Sequence, residues 1–207
     1  MKKTKIALTL VCAILIVAAS VMGTLAYLTA TTGTVTNTFT VGKVEFDTAA
    51  LDEAKVDVYG NKEYKEDGTT LKDRVIANTY KLVPGHSYVK DPTVHIGADS
   101  ENAWLFVKVV NGISAIEATG DTTIAAQMTA KGWVAVATGS NIYYWPSQVT
   151  ANQDVVVFES FKLADTADVS GYTNASITIQ AGIVQADGFA SASAAWTANS
   201  TLFDTNT

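Results

Sequence analysis

The architecture is settled by Ala103-Trp104-Leu105-Phe106-Val107-Lys108-Val109-Val110, where apolar residues fall on both parities and only Lys108 interrupts. A strand with one wet face alternates apolar and polar residues. A run without alternation reads instead as a central strand covered on both faces. Toward the C-terminus, residues 155–161 form a second dense β-branched run. Residues 176–184 alternate cleanly, Ile177, Ile179 and Ala181 against Thr178, Gln180 and Gly182. Residues 133–137 and 141–145, joined by Thr138-Gly139-Ser140, have the chemistry of a hairpin.

Toward the N-terminus the apolar groups are shorter. Residues 88–96 contain Asp91-Pro92, which predicts an edge strand or one broken at the proline. Residues 74–83 form a group ending at the turn signal Pro84-Gly85, and Val56, Val58 and Tyr59 another, closed by Gly60-Asn61. The charged stretch 61–70, with Asp67-Gly68, reads as a hairpin tip. A threonine ladder at 34–41, where Val35, Phe39 and Val41 share one parity, is broken at Gly42, and Val44 and Phe46 resume on the same strand or its neighbour. Two short helices are expected. One runs to Lys131, capped by Asp121 or Thr122 and stopped at Gly132, with Ile124 and Met128 on one face. The other is alanine-rich, covers 191–199 around Trp196, and folds back onto the sheets. Many short strands between turn signals predict an all-β, antiparallel sandwich rather than parallel β/α units. No period of 20–50 residues points to a repeat array.

The amino end carries a different message. Lys2, Lys3 and Lys5 precede an uncharged apolar run over 6–22, followed by Gly23-Thr24-Leu25-Ala26-Tyr27. Basic, apolar and small-residue regions in that order make an export signal. The run is borderline for a spanning helix, which needs about 17–25 apolar residues, so a cleaved signal helix and a retained anchor both fit. Thr24 and Ala26 in the minus-three and minus-one places favour cleavage after Ala26, which leaves 27–207 as a single domain. The only cysteine is Cys12, inside the apolar run, so the processed chain has no disulfide and no thiolate. Of 14 basic and 20 acidic residues, only three lysines lie in 1–26, so the processed chain carries 11 against 20, a net of -9. That balance argues against nucleic acid, which demands a basic footprint, and suits a soluble extracellular protein.

Motifs for catalysis are missing. His86 and His95 are the only histidines, and nine residues apart they make no zinc pair. His86 reads as a solvated turn residue and His95 as an outward-facing strand residue. There is no nucleophile elbow and no phosphate loop. Asp47, Asp52, Glu53, Asp57, Asp165 and Asp168 read as solvated surface carboxylates without calcium-loop spacing. No cofactor is implied, and the chain reads as a structural or binding protein, not an enzyme. Of the four tryptophans, Trp104 and Trp133 sit among apolar neighbours and read as core. Tyr143, Tyr144 and Trp145, before Pro146, are the candidate exposed aromatic patch, suited to a surface adhesin or carbohydrate-binding module.

Gly23-Thr24-Leu25-Ala26-Tyr27-Leu28-Thr29 and Asn37-Thr38-Phe39-Thr40-Val41-Gly42 resemble the amino end of the TasA/camelysin family. These are exported proteins of Gram-positive bacteria whose signals are cut by a SipW-type signal peptidase. Leu82-Val83-Pro84-Gly85, Ala103-Trp104-Leu105-Phe106-Val107 and Ala181-Gly182-Ile183-Val184-Gln185-Ala186-Asp187-Gly188-Phe189 are similar to later segments of that family, in the same order. Ala30 departs from the acidic residue often found at its place. The resemblance implies a cut between Ala26 and Tyr27, a jelly-roll β-sandwich and a role in biofilm matrix fibres, with itself and other matrix components as partners. Some camelysin relatives are labelled metallopeptidases, a label this chain, lacking a zinc motif, does not inherit.

A physical form for assembly follows from the residues. Residues 27–41 are uncharged, β-prone and free of proline, and form a candidate donor strand burying Val35, Phe39 and Val41 in the next subunit. Repeated head to tail, that contact does not close and makes a filament. The same segment also fits as the first strand of its own sandwich.

Overall fold

The computed structural model describes residues 42–204. The expected signal segment, the expected cleavage pair Ala26 and Tyr27, and the candidate donor-strand residues Val35, Phe39 and Val41 lie outside them. The described chain is mostly β, and its sheets are antiparallel. Its strands are β1 (Phe46–Asp52), β2 (Ser87–Val89), β3 (Thr93–Ile96), β4 (Ala103–Asn111), β5 (Val134–Ala135), β6 (Ile142–Tyr144), β7 (Asp154–Val156), β8 (Ser160–Lys162) and β9 (Ile177–Gln185). Helix α1 (Ile124–Lys131) and helix α2 (Ala192–Ala198) complete the set among the described residues. The strands make a four-stranded sheet ordered β5-β6-β4-β9, a three-stranded sheet β1-β3-β7 and a pair β2-β8.

Strand β4 explains the organisation. Leu105, Val107 and Val109 point into a core shared with Val94, Ile96 and Val155 of the three-stranded sheet and with Tyr88 and Phe161 of the pair. Trp104 and Phe106 point the other way, into a second core closed by Ala192, Ala195 and Phe203. Both parities of the apolar run are therefore used. The tail helix folds back as expected, with Ser191 Oγ capping it at Ala194 N–H. Beyond it, Leu202 rests where Gly182 leaves no side chain, since a Cβ there would meet Leu202 at 2.7 Å.

Two long strands expected from the sequence are each broken, and at the same level. Residues 88–96 divide at Pro92 into β2 and β3, and 155–161 divide opposite into β7 and β8. Pro92 has no N–H to give a ladder. Its carbonyl accepts from Val157 N–H at 2.8 Å, and Lys90 N–H donates to Glu159 C=O at 3.1 Å, so the ribbon stays continuous while its strands change sheets. The proline breaks the strand and does not put it at an edge, because β3 lies between β1 and β7.

Other differences are local. Residues 74–83 form no strand. Val75 bridges to Glu53, Lys81 N–H donates to Val58 C=O at 2.7 Å, and the Tyr88 hydroxyl of β2 donates to Lys81 C=O at 2.7 Å. The group at 56–59 is reduced to a bridge from Val56 to Lys62, because Asp57 Oδ1 accepts from Tyr59 and Asn61 N–H groups and bends the chain into a turn. The cap of α1 is Thr123, one residue beyond the expected pair, accepting from Ala126 N–H at 3.2 Å. Gly132 ends that helix at φ 99°, the left-handed conformation glycine adopts without penalty.

Aromatic packing joins the β2-β8 pair to the irregular segment. Tyr88 and Phe161 stack with centroids 4.7 Å apart, and Tyr80 meets both edge-on at 5.7 and 5.1 Å. Replacing Phe161 with alanine removes the buried face of this cluster. We expect a loss of about 3–5 kcal/mol of unfolding free energy in urea titrations.

Candidate functional site

The candidate aromatic patch is divided between two faces. Neighbouring residues on a strand point oppositely, so Tyr143 and Trp145 pack on the main core while Tyr144 packs on the second. Trp145 meets buried Trp133 at 5.3 Å, and all three members of the triplet are half-buried. Burial pushes the Tyr143 hydroxyl pKa upward.

The open feature of the fold is β9. Among the described residues it has β4 on one side and no strand on the other. Gly112 N–H donates to Ser176 C=O and Ala186 N–H to Asn102 C=O, both at 2.9 Å. In antiparallel pairing this assigns the even-numbered backbone groups to β4 and turns those of Ile177, Ile179, Ala181 and Ile183 to the open edge. The same four side chains lie against the main core yet stay only half-buried. Beside them a cleft of about 410 Å³ runs between β9 and the irregular segment, lined by Ile177, Ile179, Ile76, Tyr80 and Tyr172. Ile76 at its rim is 90% exposed. The opposite end of that sheet, β5, is only two residues long.

Where Asp52 and Glu53 line the cleft, these carboxylates are not the solvated groups expected of them. Glu53 is 3% exposed and pairs with buried Lys90. Its other oxygen accepts from Asn78 Nδ2 at 2.9 Å. On the neighbouring surface Arg74 fastens three segments. It pairs with Asp52 through Nε, reaches Asp91 Oδ2 at 3.3 Å, and donates to Thr93 Oγ1 at 2.8 Å. Asp91 Oδ1 in turn accepts from Ala54 N–H at 2.7 Å.

His95 faces away from the core, as expected of it, and there it is bonded on both ring nitrogens. Its Nδ1 lies 2.7 Å from Asp154 Oδ1 on β7, and its Nε2 lies 3.0 Å from Asp52 Oδ1 on β1. Donating to both carboxylates requires a proton on each ring nitrogen, so this geometry fits the imidazolium. Burial opposes that charge, but the hydrogen bonds and attraction of Asp52 and Asp154 outweigh it, and the His95 pKa is raised. Burial likewise opposes the Asp52 carboxylate, and Arg74 and His95 overcome it, leaving its pKa lowered. His86, in its turn, is half-buried, with Nε2 2.8 Å from Tyr59 C=O.

Distance in sequence hid these groups. Asp52, Arg74, Asp91, His95 and Asp154 come from separate elements, and no spacing rule joins them. Among the described residues no group of three or more His, Cys, Asp or Glu is arranged to hold a metal ion. No helix among them is long and apolar enough to cross a membrane. No protein-family model, curated protein or solved structure matches the chain.

A raised folded pKa means that the charged His95 stabilises the fold fully below the ordinary histidine value of 6.5, and that this is lost as pH rises through the folded value. We expect the stability gap between the wild type and His95→Gln to be widest at mildly acidic pH and to narrow as the buffer becomes alkaline. Paired denaturant titrations across pH check this.

Proposed function

We propose that this chain is a secreted structural protein, released by cleavage after Ala26, whose copies join into extracellular matrix fibres by strand addition. The domain, in this reading, is a jelly-roll β-sandwich and its leading segment, 27–41, is the donor. The observation that carries it is β9, a nine-residue strand whose outward backbone groups have no ladder among the described residues. Its core-side residues Ile177, Ile179, Ala181 and Ile183 are left half-covered. An added strand pairs the backbone and buries the apolar side chains in one step. Length supports the match: fully extended, 27–41 reaches about 50 Å, and β9 is about 30 Å long.

The charge is compatible with this role. A donor without charge adds no repulsion to strongly acidic neighbours, and mature subunits at a net of -9 stay apart except where backbone pairing draws them together. Natural sheets protect long open edges, because an exposed one invites pairing with another chain. Here the edge is long, regular and free of lysine and proline across 177–185, as a receiving strand requires.

Purified 27–207 is expected to form fibrils in a concentration-dependent way under the electron microscope. Deleting 27–35 should leave a folded monomer that no longer polymerises; unchanged fibres reject the donor role. Ala181→Pro removes an N–H that faces the open edge rather than β4, so it tests the receiving side. We expect a monomer with the wild-type circular dichroism spectrum and fibre yield reduced at least tenfold.

A further inference from the structure

Glu53, Asn78 and Lys90 come from three separate segments and meet at one buried carboxylate. Glu53 and Lys90 are 3% and 9% exposed, and Lys90 Nζ lies on Glu53 Oε2. Asn78 Nδ2 donates to Glu53 Oε1 at 2.9 Å, so one carboxylate holds a primary amine and a primary amide side by side. The amide is fixed at both ends. Its Nδ2 also donates to Ala54 C=O at 2.9 Å, and its Oδ1 accepts from Val56 N–H at 3.1 Å. Tyr80 lines the same cleft, and burial, reinforced by the Glu53 and Asp91 charges, raises its pKa. An amine nucleophile, a carbonyl carbon with a hydrogen bond on its oxygen, and a carboxyl group touching both nitrogens are the parts of an amide-forming site.

We propose that Lys90 and Asn78 become joined by an intramolecular amide bond, with Glu53 as the proton carrier. A proton passes from Lys90 Nζ to Glu53 Oε2, which removes both charges from a site where they are costly. The freed lone pair attacks Cγ of Asn78, a bond forms between Nζ and Cγ, and the carbonyl electron pair moves to Oδ1 beside Val56 N–H. Glu53 gives its proton to Nδ2 and takes the surplus one from Nζ. The carbonyl re-forms, the Cγ–Nδ2 bond breaks, and ammonia leaves through the cleft. No oxidant, reductant or cofactor takes part. The product ties the irregular 74–83 segment, which has no ladder of its own, to the junction between β2 and β3 at a buried point.

Intact mass spectrometry of the full-length protein as purified, under denaturing conditions, reads the outcome directly and needs no variant to fold. We expect wild type to weigh one ammonia less than the sequence from its measured N-terminus, and digestion to yield a branched peptide joining Asn78 to Lys90. Lys90→Ala and Asn78→Ala should restore the full mass, as should Glu53→Gln, which keeps the shape and removes the acid–base group. A wild-type protein of full mass overturns the proposal. So does an ammonia deficit that maps to ring closure at Asn111-Gly112 with no branched peptide. A cross-link that persists in Glu53→Gln overturns the role given to Glu53.

Discussion

Strand β4 must be covered twice, and the rest of the described structure follows from that constraint. Its odd-numbered apolar residues require the three-stranded sheet and the β2-β8 pair on one side; Trp104 and Phe106 require α2 and Phe203 on the other. A fully buried side chain of this size contributes about 1.5–3 kcal/mol, and Leu105, Phe106 and Val107 are all at 0% exposure. Hydrogen bonding to β6 and β9 fills both edges of β4. The open edge is thereby pushed out to β9, where the proposed assembly contact lies.

Much of this was readable from residue order. The apolar run, interrupted only at Lys108, placed β4 at the centre, the alternation at 176–184 placed β9, and the turn chemistry at 138–140 placed the hairpin. The helix stop at Gly132 and the return of the Trp196 helix were also legible, because capping and glycine conformation are local matters. The paired break in 88–96 and 155–161 was only half legible. Pro92 announces its own interruption, but nothing in Val157-Phe158-Glu159 says that the opposite strand must yield at the same level.

The polar clusters were not legible at all, and for a physical reason. Local patterns report on periodicity and on turns, whereas Arg74 and His95 owe their settings to partners brought from 17 to 59 residues away. The carboxylates looked like surface groups because most carboxylates are. Glu53 differs because Lys90 and Asn78 arrive from elsewhere to satisfy it. Aromatic clustering misled in the opposite direction: Tyr143, Tyr144 and Trp145 are consecutive, and on a strand consecutive residues cannot share a face.

The second core has a bearing on the order in which the protein can mature. Its cover, from Ala192 to Phe203, is translated long after Trp104 and Phe106. Until that part of the chain emerges from the ribosome, Trp104 and Phe106 lack the residues that cover them. In the export reading proposed above, a chain whose second core closes last is easier to thread through a narrow translocation pore than one that locks early.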